Sequence, residues 1–441
     1  MTSQLWFLTY LCLFSGLTQA QPYTLEMCLE SALQNNLQIR ASEQETKQVH
    51  RQVAEVRSGL LPQVGGEYNY TYNPNIPPTF LPGFIVGQPQ EENVAAVLGL
   101  KQMQHVGLTA SQQLFNPEIL SALQAVKTAS KLSDLQLSRT REDVFYQVSS
   151  TYYSLLSLYK SIELLEANIK SFETTIQTAQ TLERNDLAKK SDVSRLLLAK
   201  QSLETQLIQL SVTEANALNV LRLLTNTPTD APFAIERTIE TETTPIAYID
   251  SIAVERTDYK LLQTTIALKE IERKGILTSY MPTLVLFGGY FSYAFNPSFN
   301  PVERFDDKSF AVSQIGLRLS FPIFDGGGRH AKIQQKNYEL KKLRYQQQFL
   351  QDQIKNEQAL AIQRHNAQIK ILQKEKESVA LAQTVLDEIK ISYYNGFVSI
   401  NEVIDAENDL LKAQTNYVTA LINVQIAILD WRKASGTLLN F

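Results

Sequence analysis

Two periods of apolar and polar positions take turns along this chain, one suited to helices and one to strands. The longest helical stretch lies at the end. Asp325-Gly326-Gly327-Gly328 opens a segment with no proline after it and only two later glycines, Gly396 and Gly436. Glycine and proline are the strongest breakers of regular structure, so the pattern predicts two long helices folded back at Tyr394-Asn395-Gly396-Phe397. The first, of about 70 residues, would reach roughly 100 Å at 1.5 Å per residue. The second carries a seven-residue repeat. Val403, Leu410, Tyr417, Val424 and Trp431 hold one position; Ala406, Ala413, Ala420, Ala427 and Ala434 hold the other. Apolar residues sustained at that spacing predict a coiled-coil seam.

The first half predicts the same kinds of element. Thr24 is placed to cap a helix that runs to about residue 60, with a soft spot at Asn35-Asn36, and Pro62 ends it. Residues 63–72 then alternate, with Val64, Gly66, Tyr68, Tyr70 and Tyr72 on one face and Glu67, Asn69 and Thr71 on the other. That is a strand pattern. Residues 73–99 are rich in proline and glycine and read as a long loop. Its apolar Phe80-Leu81 and Phe84-Ile85-Val86 suggest a lid or a neighbour to pack against. A second strand has Val106, Leu108, Ala110 and Leu114 opposite His105, Thr109, Ser111 and Gln113. Asn116-Pro117 is a helix start. Helices are expected at 117–184 and 188–225, joined near Arg184-Asn185-Asp186-Leu187, followed by a proline-bearing connector at 227–248.

The pattern then restarts with a helix over 250–278. Pro282 introduces a strand through Phe287, Phe291, Tyr293 and Phe295, whose other parity carries Leu284, Leu286 and Tyr290. Residues 296–308 read as a loop, and 314–324 as a strand with Ile315, Leu317, Leu319, Phe321 and Ile323 on one face. Val106-Gly107-Leu108 and Leu114-Phe115 superpose on Ile315-Gly316-Leu317 and Ile323-Phe324 at a shift of about 210, and Ser191-Asp192-Val193 on Asn401-Glu402-Val403. The chain is therefore read as a duplication. The expected organisation is a signal peptide at 1–20, a first repeat at 21–225 (strands within 62–115, hairpin 117–225), a connector at 226–248, and a second repeat at 249–441 (strands within 282–324, hairpin 325–436).

Composition narrows the setting. Lys and Arg number 41 against 45 Asp and Glu, a net charge of -4 that gives no nucleic-acid footprint. Residues 5–17 are almost wholly apolar and precede Ala20, as in a secretory signal. Cys28 would then be the one cysteine left, so no internal disulfide is expected. No later stretch offers 18 uncharged apolar residues, so a membrane span must be built of strands. Four strands with an apolar face cannot close a barrel, and open edges are not tolerated in lipid. Three copies would supply twelve strands, whereas two would supply eight and barely leave a lumen.

The duplicated architecture, Pro62 and Pro282 before the first strand of each half, Pro322-Ile323-Phe324-Asp325-Gly326-Gly327, and Tyr393-Tyr394-Asn395-Gly396-Phe397-Val398-Ser399 running into Glu402-Val403-Ile404-Asp405-Ala406 resemble the TolC family of outer-membrane efflux proteins. The resemblance covers essentially the whole mature chain. It implies a mostly α fold with a membrane β-barrel portion, a trimeric TolC-like α/β-barrel with four strands and two helical hairpins per protomer. It implies a homotrimer in outer-membrane lipid, reaching into the periplasm. It also implies docking to a periplasmic adaptor (membrane fusion) protein and to an inner-membrane pump, proton-driven or ABC. The function implied is a passive exit duct for efflux or type I secretion. The alternative is a soluble periplasmic coiled-coil adaptor or scaffold; a hydrolase using carboxylate pairs is a third class, but no catalytic pair converges.

The hairpin turn near Gly396 carries the sharpest chemistry. Glu402 and Asp405 lie three residues apart, on one helix face. Two readings are open. With threefold symmetry they would form stacked acidic rings that favour cations in a narrow pore; otherwise they are solvated acids at a helix start, where the dipole favours them. The resemblance implies the constriction, and implies turn-closing contacts at Asp192 and Tyr393. A basic residue implied at Val398 is missing, and Lys189 and Lys190 are the candidates to replace it. No cofactor or metal is expected, because His50, His105, His330 and His365 share no metal spacing and Gly326-Gly327-Gly328 lacks the rest of a phosphate loop. Arg318 is expected to point into the lumen. Tyr68, Tyr70 and Tyr72 with Phe291, Tyr293 and Phe295 suggest an interfacial aromatic girdle, a buried aromatic core being the alternative.

Overall fold

The computed structural model describes residues 22–87, 93–228, 230, 232–238, 256–295 and 309–439. The expected signal segment 1–20, much of the connector 226–248, the helix start at 250–255 and the loop 296–308 lie outside the described residues. Among those described, the chain forms seven α-helices and six strands. In order they are α1 (Leu25–Asn35), α2 (Leu37–Ser58), β1 (Gln63–Tyr72), β2 (Thr79–Pro82), β3 (Asn93–Ala96), β4 (Gln102–Phe115), α3 (Pro117–Arg184), α4 (Lys190–Thr225), α5 (Thr257–Thr278), β5 (Thr283–Phe295), β6 (Ser309–Ser320), α6 (Gly328–Tyr394) and α7 (Ile400–Ser435).

The soft spot at Asn36 is a full break. Its Oδ1 accepts from the N–H groups of Gln38 (2.8 Å) and Ile39 (3.3 Å), which starts α2, while its Nδ2 donates to the Leu224 carbonyl at 2.8 Å. An Asn side chain that satisfies backbone groups in this way competes with helix continuation. Two other expectations need correction. The loop 73–99 contains its own antiparallel ribbon, β2 with β3, and a 3₁₀ turn at Gly83–Val86; Phe80, Phe84 and Ile85 on it are exposed. Strand β6 begins at Ser309 and ends at Ser320, so Phe321 to Phe324 leave the sheet. Pro322 has no N–H for a ladder, and Gly326 and Gly327 take the left-handed φ values of 66° and 84° that delay α6 to Gly328.

Spatially the chain divides into two compact units. One holds residues 1–45, 134–263 and 345–441; the other holds 46–133 and 264–344. The second unit contains a four-stranded antiparallel sheet in the order β1-β4-β5-β6. Its register fixes which side chains share a face. Tyr68 pairs with Val106, Val106 with Ser292, and Leu108 with Tyr290. Leu286 pairs with Leu317, and Leu284 with Leu319. This face leaves Val64, Val106, Leu108, Tyr290, Ile315, Leu317 and Leu319 exposed. The opposite face carries Glu67, Asn69, His105, Thr109, Ser111, Gln314 and Arg318. Tyr293 pairs with His105, and Phe291 with Gly107, so these aromatics lie on the polar face, opposite Tyr68, Tyr70 and Tyr72. The two aromatic groups therefore do not make one girdle. The period-2 rule puts residues of equal parity on one face only within a strand, and says nothing about parity across strands.

In the first unit a core joins α1, α3, α4 and α7 through Cys28, Leu29, Val148, Leu155, Leu221 and Ile422. A second core joins the hairpin ends. Backbone detail recurs at a spacing of 210. Asp186 and Gly396 hold φ of 57° and 78° at the two turns. Leu187 N donates to Leu182 O at 2.8 Å, and Phe397 N to Ser392 O at 2.9 Å. Asn226 and Gly436 end α4 and α7 in the left-handed conformation, bonding to Arg222 and Arg432 respectively. Both are caps of the type that closes helix C-termini.

Candidate functional site at the hairpin turns

Each turn is built by local side-chain bonds. Asn395 Nδ2 donates to Ile391 O at 2.9 Å, as Asn185 Nδ2 does to Thr181 O. Ser399, in extended conformation, precedes α7, and both its N–H and its hydroxyl donate to Glu402 Oε1 at 3.1 Å. This is the reciprocal N-terminal cap that a Ser-x-x-Glu spacing encodes. In the other hairpin the Lys189 N–H donates to Asp192 Oδ2 at 3.3 Å, and Ser191 Oγ donates to Asp192 Oδ1 at 3.4 Å. Glu402 and Asp192 thus do the same work at matching places.

Asp405, one turn further on, is exposed and has no hydrogen-bond or ion-pair partner among the described residues. Its carboxylate is open to solvent, whereas that of Glu402 is turned back onto the helix end. Tyr393 is buried in the core of the hairpin ends with Val193, Leu196, Ile400 and Val403. Burial pushes its phenol above the usual range, and the negative charge of Asp192 adds to the rise. Its hydroxyl has no hydrogen-bond partner among the described residues. Asp192 and Tyr393 are brought within electrostatic reach of each other but share no bond. Val398, where a base was implied, packs against the same core. Lys189 serves as the residue before α4 and Lys190 as its first.

Two contacts escaped the sequence reading. Arg195 Nη1 donates to Asn401 Oδ1 at 3.1 Å, tying α4 to α7. Lys390 Nζ lies 2.6 Å from Glu407 Oε1, and Glu407 is only 2% exposed. Ser171 Oγ donates to the same oxygen at 2.8 Å, and Lys390 donates to Ser171 Oγ at 3.0 Å. This network ties α3, α6 and α7 just behind the turn. A signal existed: Glu407 follows Val403 by four positions, on the stripe that the repeat buries. Among the described residues no three His, Cys, Asp or Glu side chains gather as a metal would require.

Residues 28–227 and 291–437, well over half of the chain, match the family model described as outer membrane efflux protein. The chain belongs to the outer membrane efflux protein family. This efflux protein is 23% identical over 437 residues to the outer membrane protein TolC of Escherichia coli (strain K12), covering 96% of this chain and 84% of that one. It is 26% identical over 125 residues to the outer membrane efflux protein BepC of Brucella suis, which covers 28% of this chain and 27% of that one. Among solved structures, one of CusC has a TM-score of 0.78 at 15% identity, covering 93% of this chain and 92% of that one. The outer membrane protein VceC of Vibrio cholerae has a TM-score of 0.73 at 16% identity, covering 93% and 96%. The fold is TolC-like, and the efflux protein is an outer-membrane exit duct belonging to a family of transport channels, which sets aside the adaptor reading. No helix among the described residues is long and apolar enough to cross a membrane.

Proposed function

We propose that three copies of this chain close one barrel and work as the passive outer segment of a three-part export machine. The sheet carries the reading. Among the described residues its edge strands, β1 and β6, each pair on one side only, and its apolar face is exposed along β1, β4 and β6. An exposed apolar face of that size calls for lipid, and lipid tolerates no unpaired edge. Pairing β6 of one copy with β1 of the next gives twelve strands and a lumen. The polar face, with Glu67, Thr109, Gln314 and Arg318, then lines the passage. The domain reading stands with it: a signal segment at 1–20, repeats at 21–225 and 249–441, and a connector at 226–248 as an equatorial belt. The caps that recur 210 positions apart support the repeats.

The hairpin turns are the docking end. Leu187 and Phe397 occupy matching positions and are 75% and 82% exposed. Paired apolar side chains at two turns suit a periplasmic adaptor, which links the duct to an inner-membrane pump that supplies the energy. Asp405, repeated by threefold symmetry, is the acidic ring of the constriction; Glu402 adds its charge from its capping position. Cross-linking of cysteines placed at Gln63 and Ser320, on the two edge strands, tests the assembly. A ladder ending at three chains is expected. A ladder ending at two, or none, contradicts the closed barrel.

A further inference from the structure

The polar face of the sheet carries more aromatic surface than packing requires. A Cβ at Gly107 or Gly289 would lie 2.4 Å from the Phe291 ring, and one at Gly316 would lie 2.8 Å from Phe287. Those two rings cover bare strand glycines, a recognised way of closing a sheet surface. Tyr293 and Phe310 cover none. Their rings stack at 6.4 Å and 20°, and Phe310 remains 51% exposed. The imidazole of His105 lies 4.9 Å from the Tyr293 ring and edge-on to Phe291 at 5.7 Å. His105 Nε2 is 3.5 Å from Glu67 Oε1, whose side chain stays 48% exposed. Rings and carboxylate together sit toward the strand ends remote from α3 and α6.

We infer that this patch is a contact site for planar aromatic cations on their way out. The inference rests on the reading that the polar face lines the lumen. Flat ring faces carry negative quadrupole density and attract cations, and Glu67 adds a formal charge. Competing positive charges are set back from the patch: Lys101 stands four residues before His105, and Arg318 six residues deeper along β6 than Val312, about 13 and about 20 Å at strand spacing. Salt screens both over about 8 Å. Three protomers would place three such patches around one level of the passage.

The test uses the full-length protein in planar lipid bilayers with ethidium as probe. Ethidium is expected to interrupt the wild-type current, and the Tyr293→Leu/Phe310→Leu pair to raise the half-blocking concentration about tenfold, the worth of one or two lost cation–π contacts. Phe291 is left intact because it closes the sheet over two glycines. If the pair fails to assemble, Phe310→Leu alone, at an exposed ring, serves and is expected to give a smaller rise. Equal block in wild type and variant, or no block of the wild type, overturns the site. A separate arm reads the lumen. Thr109→Cys should lose conductance on treatment with a membrane-impermeant thiol reagent, the native Cys28 being fully buried. No reaction overturns the lumen reading itself; reaction with unchanged ethidium block overturns only the contact site.

Discussion

The two hairpin turns share a backbone and differ in chemistry. At 186/396, 187/397 and 226/436 the same bonds and left-handed residues recur, and Asp192 and Glu402 cap the returning helices alike. The side chains then part company. The second hairpin has Lys390 bonded to a buried Glu407; the matching positions of the first are Gln180 and Leu197, and Leu197 is exposed. The first has Arg195 reaching across to Asn401; the matching position of the second is Asp405, exposed and unbonded among the described residues. What both copies retain makes the turn. What only one copy has is free to serve the passage or to fasten one hairpin to the other.

The largest expected effect breaks the symmetry at Glu407. Lys390→Ala leaves a buried carboxylate without its cation, which costs about 3–5 kcal/mol, read as a loss of denaturant midpoint for the hairpin region in detergent. Replacing both partners by leucine should restore most of it, since a buried pair exchanged for apolar groups of similar volume is close to neutral. Leu197→Ala, the counterpart on the exposed surface, should change stability by less than about 1 kcal/mol. Equal losses at 197 and 390 would remove the distinction. Next come the caps. Asp192→Ala and Glu402→Ala should each cost about 0.5–1 kcal/mol, and the two values should agree if both acids are there for the helix end. The smallest effect is at Tyr393. A phenol whose folded pKa is raised contributes stability that is complete below its unfolded value, about 10, and is lost as pH rises through the folded value. Wild type should therefore lose more stability as pH rises above about 10 than Tyr393→Phe, by pH-jump unfolding, and Asp192→Asn should narrow the gap.

Much of this is legible in the sequence alone. Long proline-free, glycine-free runs have only one regular solution, so α3 was bounded at Pro117 and Arg184 from sequence, and the turn at Gly396 was equally clear. Alternation revealed β1 and β5 and the apolar face of β6 but misjudged the extent of β6, because Phe321 and Ile323 continue the apolar alternation after Pro322 has ended the ladder. Faces across strands were not legible: Phe291 and Tyr293 look like Tyr68 and Tyr70 in a list of aromatics, and only hydrogen-bond register separates them. At the candidate site the sequence singled out the turn and its two acids, Glu402 and Asp405. It could not tell Glu402 from Asp405, because a capping carboxylate and a free one have the same letters and are distinguished by a rotamer.

That distinction is also where the functional reading is most exposed. Single-channel reversal potentials in a salt gradient measure it directly, with Asp405→Asn compared against Glu402→Gln. Cation preference should fall markedly in Asp405→Asn and only slightly in Glu402→Gln, whose charge is engaged at the helix end. Undiminished selectivity in Asp405→Asn would contradict the assignment of the passage's charge ring to this turn.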